Sequence, residues 1–322
     1  MNQLIQSLFS FYLIVLIGFF CGKILKKYNK SLRKLFTFIL IYILTPLLIF
    51  FSFLLPNFNF SFLIVLNIIL FEVSLVFFSQ LFIYFIFLRN RDPSQNKRKG
   101  ALLMLVAFPN AMLFPLPIVL SIFGTNLVPI LVIFSLSAMV LRGTWLTYLS
   151  IYYGEKETDI KYKETFKKII TFPPTFALLL SILITLFNLP FNISLITVLN
   201  DLFSLITTIV GALLIGILLV NIEFSHIKNN KNDFLIVFLM RIGFSLLLFS
   251  ILSQFLIFPK NIRASILIVL LLVYIDPPAV TNTAYAEYFE LDEKFTAFSV
   301  ISMTIFAMLY IPFFLFLSTS LF

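Results

Sequence analysis

The stretch Ala107-Phe-Pro-Asn-Ala-Met-Leu-Phe-Pro-Leu-Pro117 interrupts a long apolar run, and Tyr274-Ile-Asp-Pro-Pro-Ala-Val-Thr-Asn282 interrupts a second one near the end of the chain. Proline has no amide hydrogen to donate, and its ring clashes with the preceding helical turn, so such clusters break a helix. In a bilayer, the carbonyl groups freed by a break need partners inside the protein or in a water-filled cavity. The two stretches therefore predict interrupted helices inside a membrane protein, and ordinary proline kinks are the alternative.

The composition of the whole chain is typical of a membrane protein. Apolar residues make up 61% of the 322 positions and charged residues 11%, against roughly 45–50% and about 25% in globular domains. We therefore expect an all-α polytopic fold, because helices satisfy their own backbone groups in lipid. The single cysteine, Cys21, excludes a disulfide framework, and the single histidine, His226, gives no reason to predict a metal site or a cofactor.

Ten apolar runs follow one another along the chain and predict about ten transmembrane helices. Their approximate bounds are 4–25, 32–55, 60–88, 100–123, 127–152, 169–188, 196–220, 233–257, 262–289 and 295–318. The first run is expected to be a retained helix rather than a secretory signal, because no basic residue precedes it.

Lysine and arginine are distributed unevenly among the connections between these runs. The odd-numbered connections contain 19 of these residues and the even-numbered ones contain two. Since basic connections stay on the cytoplasmic side, this pattern predicts that both termini are non-cytoplasmic. We expect a multi-pass protein of the cell membrane. The net charge of +9 is then explained by topology, so we predict membrane lipids and no nucleic acid as partners.

The chain divides into two halves of similar organisation. Residues 1–152 and 169–322 each contain five predicted helices, and residues 153–168 form a predicted cytoplasmic linker. Because five is an odd number, the second half must insert upside down relative to the first, as an inverted repeat. Each interruption falls in the fourth helix of its half, which makes the broken helices four and nine. Interrupted helices at matching positions of inverted repeats are typical of secondary transporters.

The interruptions also resemble motifs of a known family. Pro109-Asn110 followed by Pro117 is similar to the fourth-helix motif of the auxin efflux carrier family, and residues 277–288 are similar to its ninth helix. Leu44-Thr-Pro46 and Tyr310-Ile-Pro312 resemble the same family, so the similarity spans nearly the whole chain. The short central linker resembles that of microbial members rather than the long loop of plant carriers.

The resemblance implies ten helices in two inverted five-helix repeats, with helices four and nine crossing at their breaks inside a mobile transport domain. It also implies a scaffold that forms a homodimer, and the transport of small organic anions such as carboxylates. Asp276 stands where the family often has an apolar residue, so coupling to a proton or another cation can differ in this chain.

The polar groups at the two breaks form the predicted solute-binding site. An asparagine amide both donates and accepts hydrogen bonds, which suits a carboxylate and an unwound backbone equally well. The predicted binding residues at the breaks are Asn110, Asn282, Pro109, Pro117, Pro277 and Pro278.

Four charged residues lie inside apolar runs, namely Glu72, Arg142, Arg241 and Asp276. Each costs roughly 2.5–3.5 kcal/mol at the middle of the bilayer, so each needs a partner, a cavity or a function. We predict that Arg142 and Arg241 bind a substrate carboxylate through paired hydrogen bonds. Asp276 and Glu72 are candidates for coupling to a proton or sodium ion. Structural ion pairs, with Glu72 paired to one arginine, are the alternative.

The leading interpretation is a secondary transporter that moves a small organic anion by alternating access. An ion channel or a cation-coupled solute symporter is the alternative, because broken helices also build ion filters. An enzyme is not expected, since an intramembrane aspartyl protease needs two facing aspartates and a metalloprotease needs several histidines. The sequence contains no intact phosphate-binding loop that would drive transport with ATP.

Overall fold

A computed structural model describes most of the chain. The described residues are 2–55, 62–112, 114–154, 173–187, 190, 192–218, 220, 227–255, 258 and 262–321. Residues 155–168 of the predicted linker and His226 lie outside them. Within the described ranges the regular secondary structure is helical, apart from one isolated antiparallel bridge.

Fifteen α-helices make up the described part of the chain. They are α1 (Asn2–Ile24), α2 (Asn29–Phe38), α3 (Thr45–Leu54), α4 (Phe62–Ile83), α5 (Asn96–Ala107), α6 (Pro115–Phe123), α7 (Val128–Leu141), α8 (Thr147–Tyr153), α9 (Pro173–Leu186), α10 (Ile193–Leu218), α11 (Ile227–Leu239), α12 (Ser245–Phe255), α13 (Arg263–Ile275), α14 (Thr281–Tyr288) and α15 (Glu293–Leu321). Four π-helical segments continue α2, α4, α7 and α11, at Ile39–Leu44, Tyr84–Leu88, Arg142–Leu146 and Met240–Phe244.

Several helical segments are long and apolar enough to cross a bilayer, which takes about 20 residues. Six such segments occur among the described residues, at Ser31–Leu54, Phe62–Leu88, Pro115–Tyr153, Ile193–Ile217, Asn230–Phe255 and Glu293–Leu317. Three shorter apolar helical segments are Phe9–Ile24, Pro173–Thr185 and Arg263–Ile275. The prediction of an all-helical, polytopic membrane protein is therefore confirmed.

The chain folds into two compact units. Unit 1 comprises Met1–Phe62, Met112–Ile133 and Lys167–Asn221, and unit 2 comprises Leu63–Ala111, Phe134–Phe166 and Ile222–Phe322. Each unit therefore takes segments from both halves of the sequence.

In unit 1, the backbones of α1 and α10 are in close contact. A Cβ atom at Gly216 would lie 2.0 Å from the carbonyl oxygen of Val15, and one at Gly18 would lie 2.4 Å from that of Leu213. Glycine is therefore required at both positions. Such close approach is typical of membrane bundles, where helices associate through packing rather than through apolar burial.

In unit 2, α5 is buried near its C-terminal end. Every residue from Ala101 to Ala107 is at most 3% exposed. At the opposite end of the helix, Nε of Arg98 lies 3.4 Å from the Asp233 carboxylate and 3.3 Å from that of Asp292, which ties α5 to α11 and to the start of α15. The end of α5, where the first break begins, therefore lies inside unit 2.

Candidate functional site

Helices α5 and α13 both end at the proline-rich stretches. α5 ends at Ala107 and the next helix begins at Pro115, while α13 ends at Ile275 and α14 begins at Thr281. Each apolar run that was predicted to be interrupted therefore contains two separate helices.

The two breaks are paired through their backbones. The amide of Asn110 donates to the carbonyl oxygen of Pro277 over 2.9 Å, and the amide of Ala279 donates to that of Phe108 over 3.1 Å. Buried backbone groups are costly without partners, above all in a membrane protein. Each break thus satisfies polar groups that the other one frees.

Prolines occupy the two positions of this pairing that need no donor. Pro109 and Pro278 lie opposite each other in an antiparallel bridge. In this bridge, both hydrogen bonds are made by the residues that flank the two prolines. Pro109 and Pro278 themselves therefore donate no hydrogen bond across the bridge. The amide hydrogen that proline lacks is therefore not missed at either position.

Arg241 caps both interrupted helices. It lies in the π-helical segment after α11 and is fully buried. Its guanidinium donates to the carbonyl oxygens of Val106, Val273, Tyr274 and Asp276 over 2.6–3.5 Å. The last carbonyl groups of a helix have no partner within it and carry partial negative charge, so a cation stabilises them. Arg241 therefore joins the ends of α5 and α13.

Tyr310 completes the cap of α13. Its hydroxyl donates to the carbonyl oxygen of Ile275 over 2.6 Å. Together with Arg241, it gives a partner to every carbonyl group from Val273 to Asp276. In the sequence, Tyr310 was notable only as part of a motif that resembles the family, and no capping role was predicted for it.

Arg142 contacts both breaks from the π-helical segment that follows α7. Its Nη1 donates to Oδ1 of Asn282 over 3.0 Å and to the hydroxyl of Thr281, and its Nη2 donates to the carbonyl oxygen of Pro109 over 3.2 Å. A guanidinium carries five N–H donors. The Nε–H and one Nη2–H have no partner within the described part of the chain. Since Arg142 is partly exposed, these two donors remain for a ligand.

The two asparagines of the predicted site differ in their surroundings. Asn282 is 0% exposed, its Oδ1 accepts from Arg142, and its Nδ2 donates to the carbonyl oxygen of Phe108 over 3.2 Å. Asn110 is 8% exposed, and its side chain makes no hydrogen bond to any residue that the structure describes. Asn282 therefore connects parts of the site, whereas the side-chain amide of Asn110 has no hydrogen-bond partner among the described residues.

Asp276 and Glu72 are buried without hydrogen-bond partners. Both are 0% exposed, and neither carboxylate accepts a hydrogen bond from a described residue. Glu72 therefore makes no hydrogen bond to an arginine of the described residues. Arg142 donates to neutral oxygens, and Arg241 contacts the backbone carbonyl of Asp276 instead of its carboxylate.

Pro117 belongs to unit 1, unlike the other predicted site residues. It lies in the first turn of α6, where a Cβ atom added at Gly211 of α10 would lie 2.5 Å from its Cγ. The contact that the structure gives Pro117 is thus one of helix packing.

Two hydroxyl groups were not among the predicted site residues. Thr281 accepts a hydrogen bond from Arg142, and Ser135 donates to the carbonyl oxygen of Ala111 over 3.1 Å. Thr281 directly precedes Asn282, so its position beside a predicted site residue could have identified it from the sequence. Ser135 could not have been identified in this way, because the residues next to it in the sequence do not indicate that it contacts the first break.

Nearly the whole chain matches one known family. Residues 3–315 match the family described as membrane transport protein, a range that includes both breaks and all the side chains discussed above. The match confirms the family resemblance carried by the two proline motifs. No curated protein matches the sequence.

Proposed function

Because the chain belongs to the membrane transport protein family, we propose that it is a secondary transporter, moving a small organic anion across the cell membrane by alternating access. The observation that carries this proposal is the guanidinium of Arg142, which reaches both breaks and has two donors that no described residue uses. Two N–H donors on one guanidinium match the two oxygens of a carboxylate.

The surroundings of Arg142 also favour an anion. Arg142 donates to Thr281 and Asn282, which begin α14, and a helix N-terminus carries partial positive charge. A cation beside such an end is unfavourable, whereas an anion held between the two is attracted by both. The amide of Asn110 supplies a further donor. A carboxylate is therefore the substrate group that we propose.

Of the two arginines predicted to bind substrate, we assign this role to Arg142 alone. Arg241 is fully buried and donates to four carbonyl oxygens. A substrate could reach it only by displacing hydrogen bonds that hold the two helix ends. We therefore assign Arg241 to the structure of the breaks.

The proposed arrangement is the one expected for the family's carriers. It has ten spans in inverted repeats at 1–152 and 169–322, a cytoplasmic linker at 153–168, both termini outside, and a homodimer. A solute bound to Arg142 and Asn110 would touch both breaks. It can drive alternating access only if these contacts differ between the inward-facing and outward-facing states.

Coupling to a proton or sodium ion is a second proposal. The carboxylates of Glu72 and Asp276 are fully buried and lack donors among the described residues. A bound proton or cation would offset the cost of placing such groups inside a membrane protein. This observation favours a cation-coupled symporter over a channel.

Countertransport in proteoliposomes tests the proposed function. Vesicles containing purified protein are preloaded with one unlabelled carboxylate from a panel of mono-, di- and aromatic acids, and uptake of the labelled acid is then measured. We expect saturable countertransport for at least one acid and its loss in Arg142→Gln. Arg263→Gln is the matched control, because Arg263 is exposed and, within the described ranges, donates only to the carbonyl oxygen of Ser253.

Two outcomes would contradict the proposal. Unitary current steps across a planar bilayer, without countertransport, would indicate a channel. Countertransport at the unmodified rate by Arg142→Gln would remove Arg142 from the substrate site.

A further inference from the structure

We propose that unit 1 contains a separate binding site, which takes a primary ammonium group attached to an apolar body. The site is a cavity of about 470 Å³ lined by α1, the end of α6 with the turn that follows it, and α10. The close contacts of α1 and α10 are at Gly18 and Gly216, whereas the cavity is lined by residues 6–14 and 201–209 of the same helices. The inference does not depend on the proposed transport function.

Asp201 gives this cavity its charge. It is the only acidic residue among the described lining residues, which include no lysine or arginine. Asp201 is exposed, although it belongs to the apolar segment Ile193–Ile217. A charge within a membrane helix is unfavourable, so it is usually paired or functional. Among the described lining residues, the cavity therefore has one negative group and no cationic group.

Two hydroxyl groups of the lining are restricted to accepting hydrogen bonds from a ligand. Ser121 donates to the carbonyl oxygen of Ile118 over 2.9 Å, and Thr208 donates to that of Ser204 over 2.9 Å. A hydroxyl has one proton to donate and two lone pairs. With each proton used inside its own helix, these oxygens and the carboxylate of Asp201 match a ligand that carries several N–H donors.

The volume of the cavity favours an organic cation over a bare metal ion. A water molecule occupies roughly 30 Å³ in the liquid, so about 470 Å³ is far more than a sodium ion with a few waters would fill. Pockets for small molecules are typically about 300–1,000 Å³. The apolar part of the wall consists of Phe11, Ile14, Leu120, Leu205 and Ile209, and the wall is completed by Gln6, Ser10, Gly124, Thr125 and Ser204. An ammonium group joined to an apolar body matches both kinds of wall.

Calorimetric titration of the purified protein with phenethylammonium tests this site. We expect phenethylammonium to bind and its neutral analogue 2-phenylethanol not to bind. Sodium chloride should reduce the binding of phenethylammonium no more than a salt of a bulky cation does at the same ionic strength. Asp201→Asn should raise the apparent Kd for phenethylammonium about tenfold or more, because a charge-assisted hydrogen bond is lost. Asp201→Glu should retain most of the affinity.

Two controls separate this site from the breaks. Glu290→Gln removes an exposed acidic residue of unit 2 and should leave the titration unchanged. Arg142→Gln should also bind phenethylammonium normally, even where its countertransport is lost.

Three results would overturn the inference. These are equal binding of 2-phenylethanol, unchanged affinity in Asp201→Asn, and displacement of phenethylammonium by sodium at matched ionic strength. The first and third comparisons use the unmodified protein, so a folding defect in a variant would not affect them.

Discussion

Pro109 and Pro278 lie opposite each other in an antiparallel bridge whose two hydrogen bonds are donated by Asn110 and Ala279. Each break is therefore an element with its own hydrogen bonds, and the two proline motifs do not act as kinks in continuous helices. The bridge leaves the carbonyl groups at the ends of α5 and α13 to be satisfied by side chains. Arg241 supplies most of these hydrogen-bond donors.

Arg241→Gln is expected to destabilise the protein much more than Arg142→Gln. The first substitution removes donors from four buried carbonyl groups, of which Val273 keeps the amide of Asp276 as a partner. A buried carbonyl group that is left unpaired costs about 1–3 kcal/mol. Arg142 is partly exposed, so its loss should mainly affect solute flux. The melting temperature and the monodispersity of each purified variant in detergent measure the difference.

Arg241→Lys helps to interpret this comparison. Lysine keeps the positive charge, but its three N–H donors lie on one nitrogen, whereas the donors of arginine are spread over a planar guanidinium. Arg241→Lys should therefore restore only part of the stability. Equal melting temperatures for Arg241→Gln and Arg142→Gln would contradict the capping role.

Asn282→Ala and Asn110→Ala should separate structure from solute contact. Asn282→Ala removes two hydrogen bonds of a fully buried amide, so we expect a loss of about 1–3 kcal/mol of stability together with flux. Asn110→Ala should keep the melting temperature and raise the KM for the transported acid. Melting and countertransport are measured on the same preparation of each variant. A lower melting temperature for Asn110→Ala alone would reverse the two assignments.

The sequence was sufficient to predict the membrane class and the two breaks, because both follow from local chemistry. A long apolar run predicts a membrane-spanning helix, and a proline cluster predicts a break in a helix, whatever the rest of the fold is. The roles of the two arginines could not be predicted in this way. Arg241 contacts Val106 across 135 positions of sequence, and only the folded chain shows that its donors meet carbonyl groups. The equivalence assumed for Asn110 and Asn282 fails for the same reason.

Glu72→Gln and Asp276→Asn are expected to remove uptake driven by a cation gradient. Each substitution replaces a buried carboxylate that lacks a donor among the described residues with a neutral group that cannot bind a proton or sodium ion. Uptake is measured with an imposed pH gradient, with an imposed sodium gradient, and with neither. Countertransport without a gradient should persist. If Asp276→Asn kept full gradient-driven uptake, Asp276 would have no part in coupling.

Asp92→Asn is the matched control for these two substitutions. Asp92 is an exposed carboxylate outside the spans, and the hydrogen bond from the backbone amide of Ser94 holds its pKa below the usual value. It is therefore ionised at neutral pH, and removing its charge should leave every gradient-driven rate unchanged.

Gly216→Ala should disrupt unit 1, whereas Gly243→Ala should be tolerated. A Cβ atom at Gly216 would lie 2.0 Å from the carbonyl oxygen of Val15, which is backbone and cannot rotate away, while one at Gly243 would meet no atom of a described residue within 4 Å. Helices α1 and α10 would have to separate, and the packing that associates helices in a membrane would be lost along their contact. Yield and melting temperature in detergent measure the effect. A Gly216→Ala protein as stable as Gly243→Ala would mean that this contact does not hold α1 to α10.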